Sequence, residues 1–311
     1  MLIKFLKFTA LVGILTIIVG CSTATEQTPA QTTTTSATGT ITLADISGNP
    51  TQTIEEFQPL ADYLAANLGG FGISVGRVKV APDLETMSQL LASGEVDLYF
   101  DSPYPAMYVS DISGAQLALR RWKGGVAEYN STIFSLSESG FTSLSDLEGQ
   151  MVGFEEPFST SGYFLPTAYL LNTDLNLVEK SGAEAVVAED EVGYVFTEDN
   201  ENTIRWVING KIDAGAVSSS DFTEIPDDFR STLTILSDIE AVPRHVMLIG
   251  PNMDPALKEA IMALLINMNG TTEGQKILEI FEETAQFDTF PTEDSLTRMQ
   301  ELYGLVQGRY V

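Results

Sequence analysis

Apolar residues gather in one dense run from Phe8 to Val19, thin out, and return from position 41 in short alternating blocks. Ile41 to Ile46 has strand length. Phe57, Leu60, Ala61, Leu64 and Leu68 follow at helical spacing, behind a Thr53–Glu56 pair that reads as a capping box. Val75–Val80 predicts a second strand. Asp83 caps a helix carrying Leu84, Met87, Leu90 and Leu91, and Val96–Phe100 predicts a third strand. Strands and helices in alternation imply α/β architecture with mostly parallel sheet.

The pattern echoes itself. Residues 90–102 (LLASGEVDLYFDS) and 207–219 (VINGKIDAGAVSS) each end a helix at glycine, place Val-Asp or Ile-Asp shortly after, run a strand and finish in small polar residues. One copy in each half suggests two lobes of similar design. The extended stretch 129–134 carries the chain between them, and 242–249 carries it back. This places lobe one at 40–130 with 240–311, lobe two at 131–239, and three closing helices at 255–268, 272–284 and 295–306.

The N-terminal run is short for a bilayer span and follows Lys4 and Lys7, which is the layout of a signal peptide over residues 1–20. It ends at Gly20-Cys21, which resembles a bacterial lipobox, with Cys21 as the lipidated residue. Residues 21–39, rich in Thr, Ser and Ala, read as a flexible tether. The expected location is therefore the extracytoplasmic face of a membrane. Cys21 is the only cysteine, so an intramolecular disulfide is excluded. A formal charge of −27 argues against a nucleic-acid surface.

The candidate chemistry lies where strands end. Strand 41–46 ends in Ser47–Thr51, strand 96–100 in Asp101-Ser102-Pro103-Tyr104, strand 151–154 in Glu155–Gly162, and strand 212–217 in Ser218–Asp221. Carboxyl ends of strands in open sheets form ligand crevices, and helix starts offer free amides to anions. Ser159-Thr160-Ser161 is the densest donor group. With Gly162 permitting close approach and Pro166 limiting the helix upstream, it is expected to wrap a small oxyanion without help from lysine. A helix capped several times over uses the same residues, and four converging junctions favour the site. Polar groups near Asp101, Ser102 and Tyr104 would face it from the other lobe.

Catalytic, metal and cofactor signals are weak. His245 is the only histidine, and no nucleophile elbow, phosphate loop, zinc motif or dinucleotide fingerprint occurs. Asp45, Asp97 and Asp213 read more readily as strand-end hydrogen-bonding groups than as acids or bases. The expectation is a binding protein with no metal or cofactor, not an enzyme.

The segment Glu156–Pro166 (EPFSTSGYFLP) resembles the D-P-x-S-T-S-G-x-x-x-P loop of the phosphonate-, phosphite- and phosphate-binding proteins that feed ABC importers. Asp146-Leu147-Glu148-Gly149, the stretch Asn209–Ala216 and Val242-Pro243 support the resemblance, which covers about residues 41–285. It implies a two-lobed type II periplasmic-binding-protein fold with two crossover strands, closure on the ligand, and an ABC permease as partner of a monomer. It also implies that Ser159, Thr160 and Ser161 form the oxyanion loop and that Tyr129 touches the ligand. Asn200 stands where the family often has histidine, Ser220 where it has an acid (Asp221 follows one place late), Leu84 where it has tyrosine, and His245 where it has aspartate. A protonated His245 would draw anions, so binding is expected to tighten below its ordinary titration near pH 6.5. A sensor of the same fold, or a hydrolase using His245, are the rival readings.

Overall fold

The first apolar block becomes strand β1 (Gly39–Ile46) in the computed structural model, which describes residues 39–307. The signal peptide, Cys21 and the tether up to residue 38 lie outside the described residues. Asn49, not Thr53, caps the helix that follows, α1 (Pro50–Asn67). Its side chain accepts the Gln52 amide at 3.4 Å, and Pro50 sits in the first turn, where a missing N–H leaves no bond unmade. Thr53 is buried within the helix. Next come β2 (Ile73–Ala81), α2 (Leu84–Ser93), β3 (Leu98–Asp101), α3 (Pro103–Ser113) and β4 (Gln116–Arg121). Asp83 caps α2 as the sequence predicts, accepting from the Thr86 amide at 2.7 Å.

The chain then crosses over through β5 (Glu128–Tyr129) and β6 (Ser131–Leu136). The second lobe continues with β7 (Met151–Phe154), α4 (Leu165–Asn172), β8 (Leu177–Glu179), β9 (Val192–Phe196), α5 (Asn200–Ile208), β10 (Ala214–Ser218), α6 (Ser219–Glu224), α7 (Asp227–Arg230) and β11 (Leu233–Asp238). The return path is β12 (Val242–Pro243) and β13 (His245–Ile249), followed by α8 (Pro255–Asn267), α9 (Thr272–Ile280), β14 (Phe287–Asp288) and α10 (Glu293–Val306).

Two six-stranded sheets result, in the orders β14-β4-β13-β3-β1-β2 and β11-β6-β10-β7-β9-β8. The internal echo is structural. In each sheet three parallel strands (β2-β1-β3 and β9-β7-β10) are followed by two antiparallel ones (β13-β4 and β6-β11). Asp97 and Asp213, the aspartates of the repeated motif, do the same job: each accepts a backbone amide of the neighbouring strand, from Thr42 at 2.7 Å and from Met151 at 2.8 Å. Both sheets are mixed, with most strands running one way. β6 and β13 arrive from the other lobe rather than through a covering helix, and only a helical crossover enforces parallel entry.

The crossovers pair with each other, Val242 opposite Tyr129 and Pro243 opposite Glu128. Helix α10, assigned to lobe one by the sequence pattern, lies against α3 of the first lobe and α4 of the second. Its Met299, Leu302 and Val306 share a core with Tyr104 and Met107 on one side and Leu165 and Ala168 on the other. No helix among the described residues is long and apolar enough to cross a membrane.

Candidate functional site

The ends of β3, β7 and β10 face one another across a cleft of about 690 Å³. It is lined by Asp101 and Ser102 after β3, Ser159, Thr160 and Ser161 after β7, and Ser218, Ser220 and Asp221 at the end of β10 and the start of α6. Asn200 opens α5 at its edge, and Tyr129, Arg244 and His245 border it from the crossover strands. The β1 end contributes only Ile46. Ser47 is spent locally, accepting from the Asn49 amide at 3.0 Å. Tyr104 is a correction: its side chain is 2% exposed and stacks on Phe164 with ring centroids 4.6 Å apart. Being apolar over most of its surface, it is worth more in that core than in the cleft.

The hydroxyl cluster divides its labour. Ser159 caps a π-helical turn, Thr160–Phe164, that leads directly into α4. Its hydroxyl donates to Glu155 Oε2 at 2.6 Å and accepts from the Gly162 amide at 2.9 Å. Thr160 Oγ1 donates to Ser102 at 3.0 Å and accepts from the Tyr104 amide at 3.0 Å, so it bridges the two lobes directly. Ser161 lines the cleft while its carbonyl accepts from Ser131 Oγ at 2.6 Å, and its hydroxyl bonds to no described residue. Thr160 and Ser161 open the helical turn, where amides lack intrahelical partners. Ser161 and these amides are the donors left for a ligand. Gly162 has a different purpose from the one its sequence suggests. A Cβ there would lie 2.2 Å from Glu155 Cδ, so the missing side chain makes room for the Glu155 carboxyl.

Charge in the cleft is mostly negative. Asp83, Asp101, Glu155, Glu156, Glu198, Asp199 and Asp221 all reach its wall, against one Lys or Arg among the described lining residues, Arg244. Its guanidinium stands 4.6 Å over the Tyr129 ring. Burial changes what these acids are. Burial first, then repulsion from Asp221 and Glu156, pushes the Glu155 carboxyl up to about 7, despite the Ser159 hydrogen bond and Arg244. Burial likewise raises Asp101, which accepts from the Tyr99 hydroxyl and the Ser102 amide. Asp45, in β1 next to Ile46, is lifted to about 7 by burial and by repulsion from Asp101 and Glu282.

His245 does not behave as the sequence suggests. It begins β13 opposite Arg121, is 7% exposed, and its Nδ1 is buried without a partner among the described residues. Burial, with Lys123, Arg121 and Arg244 nearby, holds the imidazole well below its ordinary pKa, so it is neutral in the range where it was expected to turn cationic. The family departures nevertheless all converge: Leu84, Asn200, Ser220 and His245 each line the cleft, and Asp221, one place late, reaches it too, fixed by Ser218 Oγ at 2.5 Å.

Two lobes joined by paired strands around a donor-lined cleft make the class a two-lobed ligand-binding protein. The chain belongs to the family described as ABC transporter, phosphonate, periplasmic substrate-binding protein, whose model matches residues 47–294. It is 30% identical over 182 residues to the phosphate-import protein PhnD of Mycolicibacterium smegmatis, covering 57% of this chain and 54% of that one, so the match spans about half the relative's length. Structures of XAC2383 from Xanthomonas citri bound to ATP and to chloride are 28% and 29% identical with a TM-score of 0.77. The ATP-bound one covers 87% of this chain and 98% of its own, the chloride-bound one 86% and 97%. PhnD1 from Prochlorococcus marinus, in complex with methylphosphonate, is 15% identical and shares the fold, with a TM-score of 0.57 over 85% of this chain and 96% of that one.

The division among hydroxyls has a measurable consequence. Thr160→Val keeps the shape but strands the Tyr104 amide, which costs about 1–3 kcal/mol when buried. The melting temperature of the ligand-free protein is expected to fall by roughly 2–10 °C. Ser161→Ala is expected to leave it unchanged and to cut ligand affinity at least about tenfold. Calorimetry of both variants checks this, and the reverse pattern would exchange their roles.

Proposed function

We propose that this protein is a lipid-anchored solute-binding protein that captures a phosphorus oxyanion, such as phosphate, phosphite or a phosphonate, and hands it to an ABC permease. The observation that carries the reading is the unspent donor set of Ser161 and the turn amides facing the same cleft as Arg244. Phosphorus oxyanions fit the surrounding acids better than sulfate does. A ligand P–OH donates to an ionised Asp101 or Glu155, and a protonated carboxyl donates to a ligand oxygen, whereas sulfate near neutral pH has no proton to give. The XAC2383 complex with ATP, itself a phosphate ester, supports the ligand class, and the phosphate-import relative supports the transport role. Binding is favoured over hydrolysis because burial makes the one histidine a weak base and its Nδ1 has no partner among the described residues to orient it. Lipidation at Cys21 and service as a monomer complete the reading.

The test is a thermal-shift panel of phosphate, phosphite, methylphosphonate, aminoethylphosphonate, sulfate and nitrate. At least one phosphorus anion is expected to raise the melting temperature by several degrees at millimolar concentration, with sulfate and nitrate near zero. A response to sulfate alone, or to none of them, would overturn the reading, as would turnover of a phosphoester.

A further inference from the structure

A second hollow, of about 510 Å³, opens on lobe two between α5 and the segment containing α6 and α7. Its wall is Ile204 and Ile208, one turn apart on α5, facing Ile225, Pro226 and Phe229. Phe229 is 52% exposed although it faces other apolar side chains, while Ile225 beneath is buried. Asn200 and Asp221 line both this hollow and the main cleft, so the two are neighbours that meet at these residues. The main cleft, at about 690 Å³, is already within the range of roughly 300–1,000 Å³ that accommodates organic ligands, and far larger than a bare oxyanion needs.

We infer that the hollow between α5 and α7 is a subsite for the apolar or aromatic substituent of an organophosphorus ligand whose anionic head sits at Ser161 and Arg244. The inference rests on the proposed oxyanion reading of the cleft and narrows it to phosphonates or phosphate monoesters bearing such a group. The chemistry of the rim sets the class. Asp221, Glu201 and Glu224 line the hollow against one cation, Arg205, which stands 3.7 Å from Glu201, so the balance disfavours a second negative charge; Asn200 and Asn209 are its neutral polar residues, and Ile204, Ile208, Ile225, Pro226 and Phe229 give the wall its hydrocarbon. Every lining residue belongs to lobe two, between positions 200 and 229, so the subsite stays intact whether the lobes are open or closed. An uncharged ring or chain reaching past Asn200 and Asp221 covers the Phe229 ring and gains from leaving water.

A phosphonate series with one shared head group tests this: methyl-, phenyl-, benzyl- and 3-phenylpropylphosphonate, titrated by calorimetry into the wild type, Phe229→Ala and Ile208→Gln. At least one aromatic member is expected to bind about tenfold or more tightly than methylphosphonate to the wild type. Both variants are expected to erase that gain while binding methylphosphonate as before. Phe229 is exposed, so its variant carries the test even if Ile208→Gln disturbs α5. No aromatic gain in the wild type, or a gain that survives Phe229→Ala, would overturn the subsite and leave the oxyanion reading standing. Failure of every phosphonate and of inorganic phosphate to bind would bring down both.

Discussion

Arg244→Ala is expected to weaken phosphorus-oxyanion binding by roughly 10- to 150-fold, the equivalent of about 1.5–3 kcal/mol for a charge-assisted hydrogen bond. Arg244 is the one Lys or Arg among the described residues that line the cleft, against seven lining carboxyl residues. Removing it takes away an attraction and also leaves the acids opposite an anion with nothing to offset them. The guanidinium is positioned by the Tyr129 face, 4.6 Å away, and by its backbone, whose amide donates to the Ala127 carbonyl at 2.9 Å beside the crossover pair. Arg244→Lys is expected to fall between wild type and alanine, since an ammonium keeps the charge but loses the planar fork and the stacking. Isothermal titration of the three proteins with phosphate or methylphosphonate decides it. Alanine within twofold of wild type would place the anion elsewhere.

The order of elements, the two-lobed plan and the position of Ser159–Ser161 at a strand end lining the cleft were legible because each rests on local pattern. Helical spacing, glycine after a helix and Val-Asp or Ile-Asp before a strand are short-range signals, and Asp97 and Asp213 keep equivalent hydrogen bonds in both lobes. What the sequence hid depends on contacts far apart in the chain. Nothing near Thr160 reveals that its hydroxyl meets Ser102 and the Tyr104 amide, 58 and 56 positions away. Tyr104 follows a strand end like a ligand residue, yet its ring is claimed by Phe164 of the other lobe. Arg244 stood beside His245 in an extended stretch, with no periodicity to mark it as the cleft's cation. Its signal was the scarcity of positive charge in a chain expected to bind an anion. That α10 lies against both lobes was hidden for a related reason: an amphipathic helix announces that it packs, not on which lobe.

Affinity for an anion of fixed charge is expected to fall about tenfold between pH 6 and pH 8, and Glu155 is the group that carries the change. The sequence suggested the same direction from a protonating His245, but burial and three neighbouring cations keep that imidazole neutral throughout. Glu155, raised from 4.5 to about 7, is mostly protonated at pH 6 and mostly ionised at pH 8. Its carboxyl holds Ser159 at 2.6 Å in the turn that presents Ser161, so ionisation places a negative charge beside the anion. A bound anion raises the carboxyl's pKa further, binding takes up a proton, and affinity drops by at most about tenfold per pH unit above 7. Of the other charges around it, Asp221 and Glu156 push in the same direction and Arg244 opposes them. Glu155→Gln keeps an acceptor for Ser159 and is expected to flatten the profile, whereas His245→Gln is expected to leave the slope intact. Stability of the ligand-free protein gives an independent reading with its own sign. The contribution of Glu155 and Asp45 is fully present below about pH 4 and is lost as the pH climbs to about 7, while that of a neutral His245 is lost as the pH falls below about 6.5. Titrating a phosphonate monoester, singly charged across the range, into wild type and both variants separates the two carriers: a slope abolished by His245→Gln and untouched by Glu155→Gln would return the effect to the imidazole.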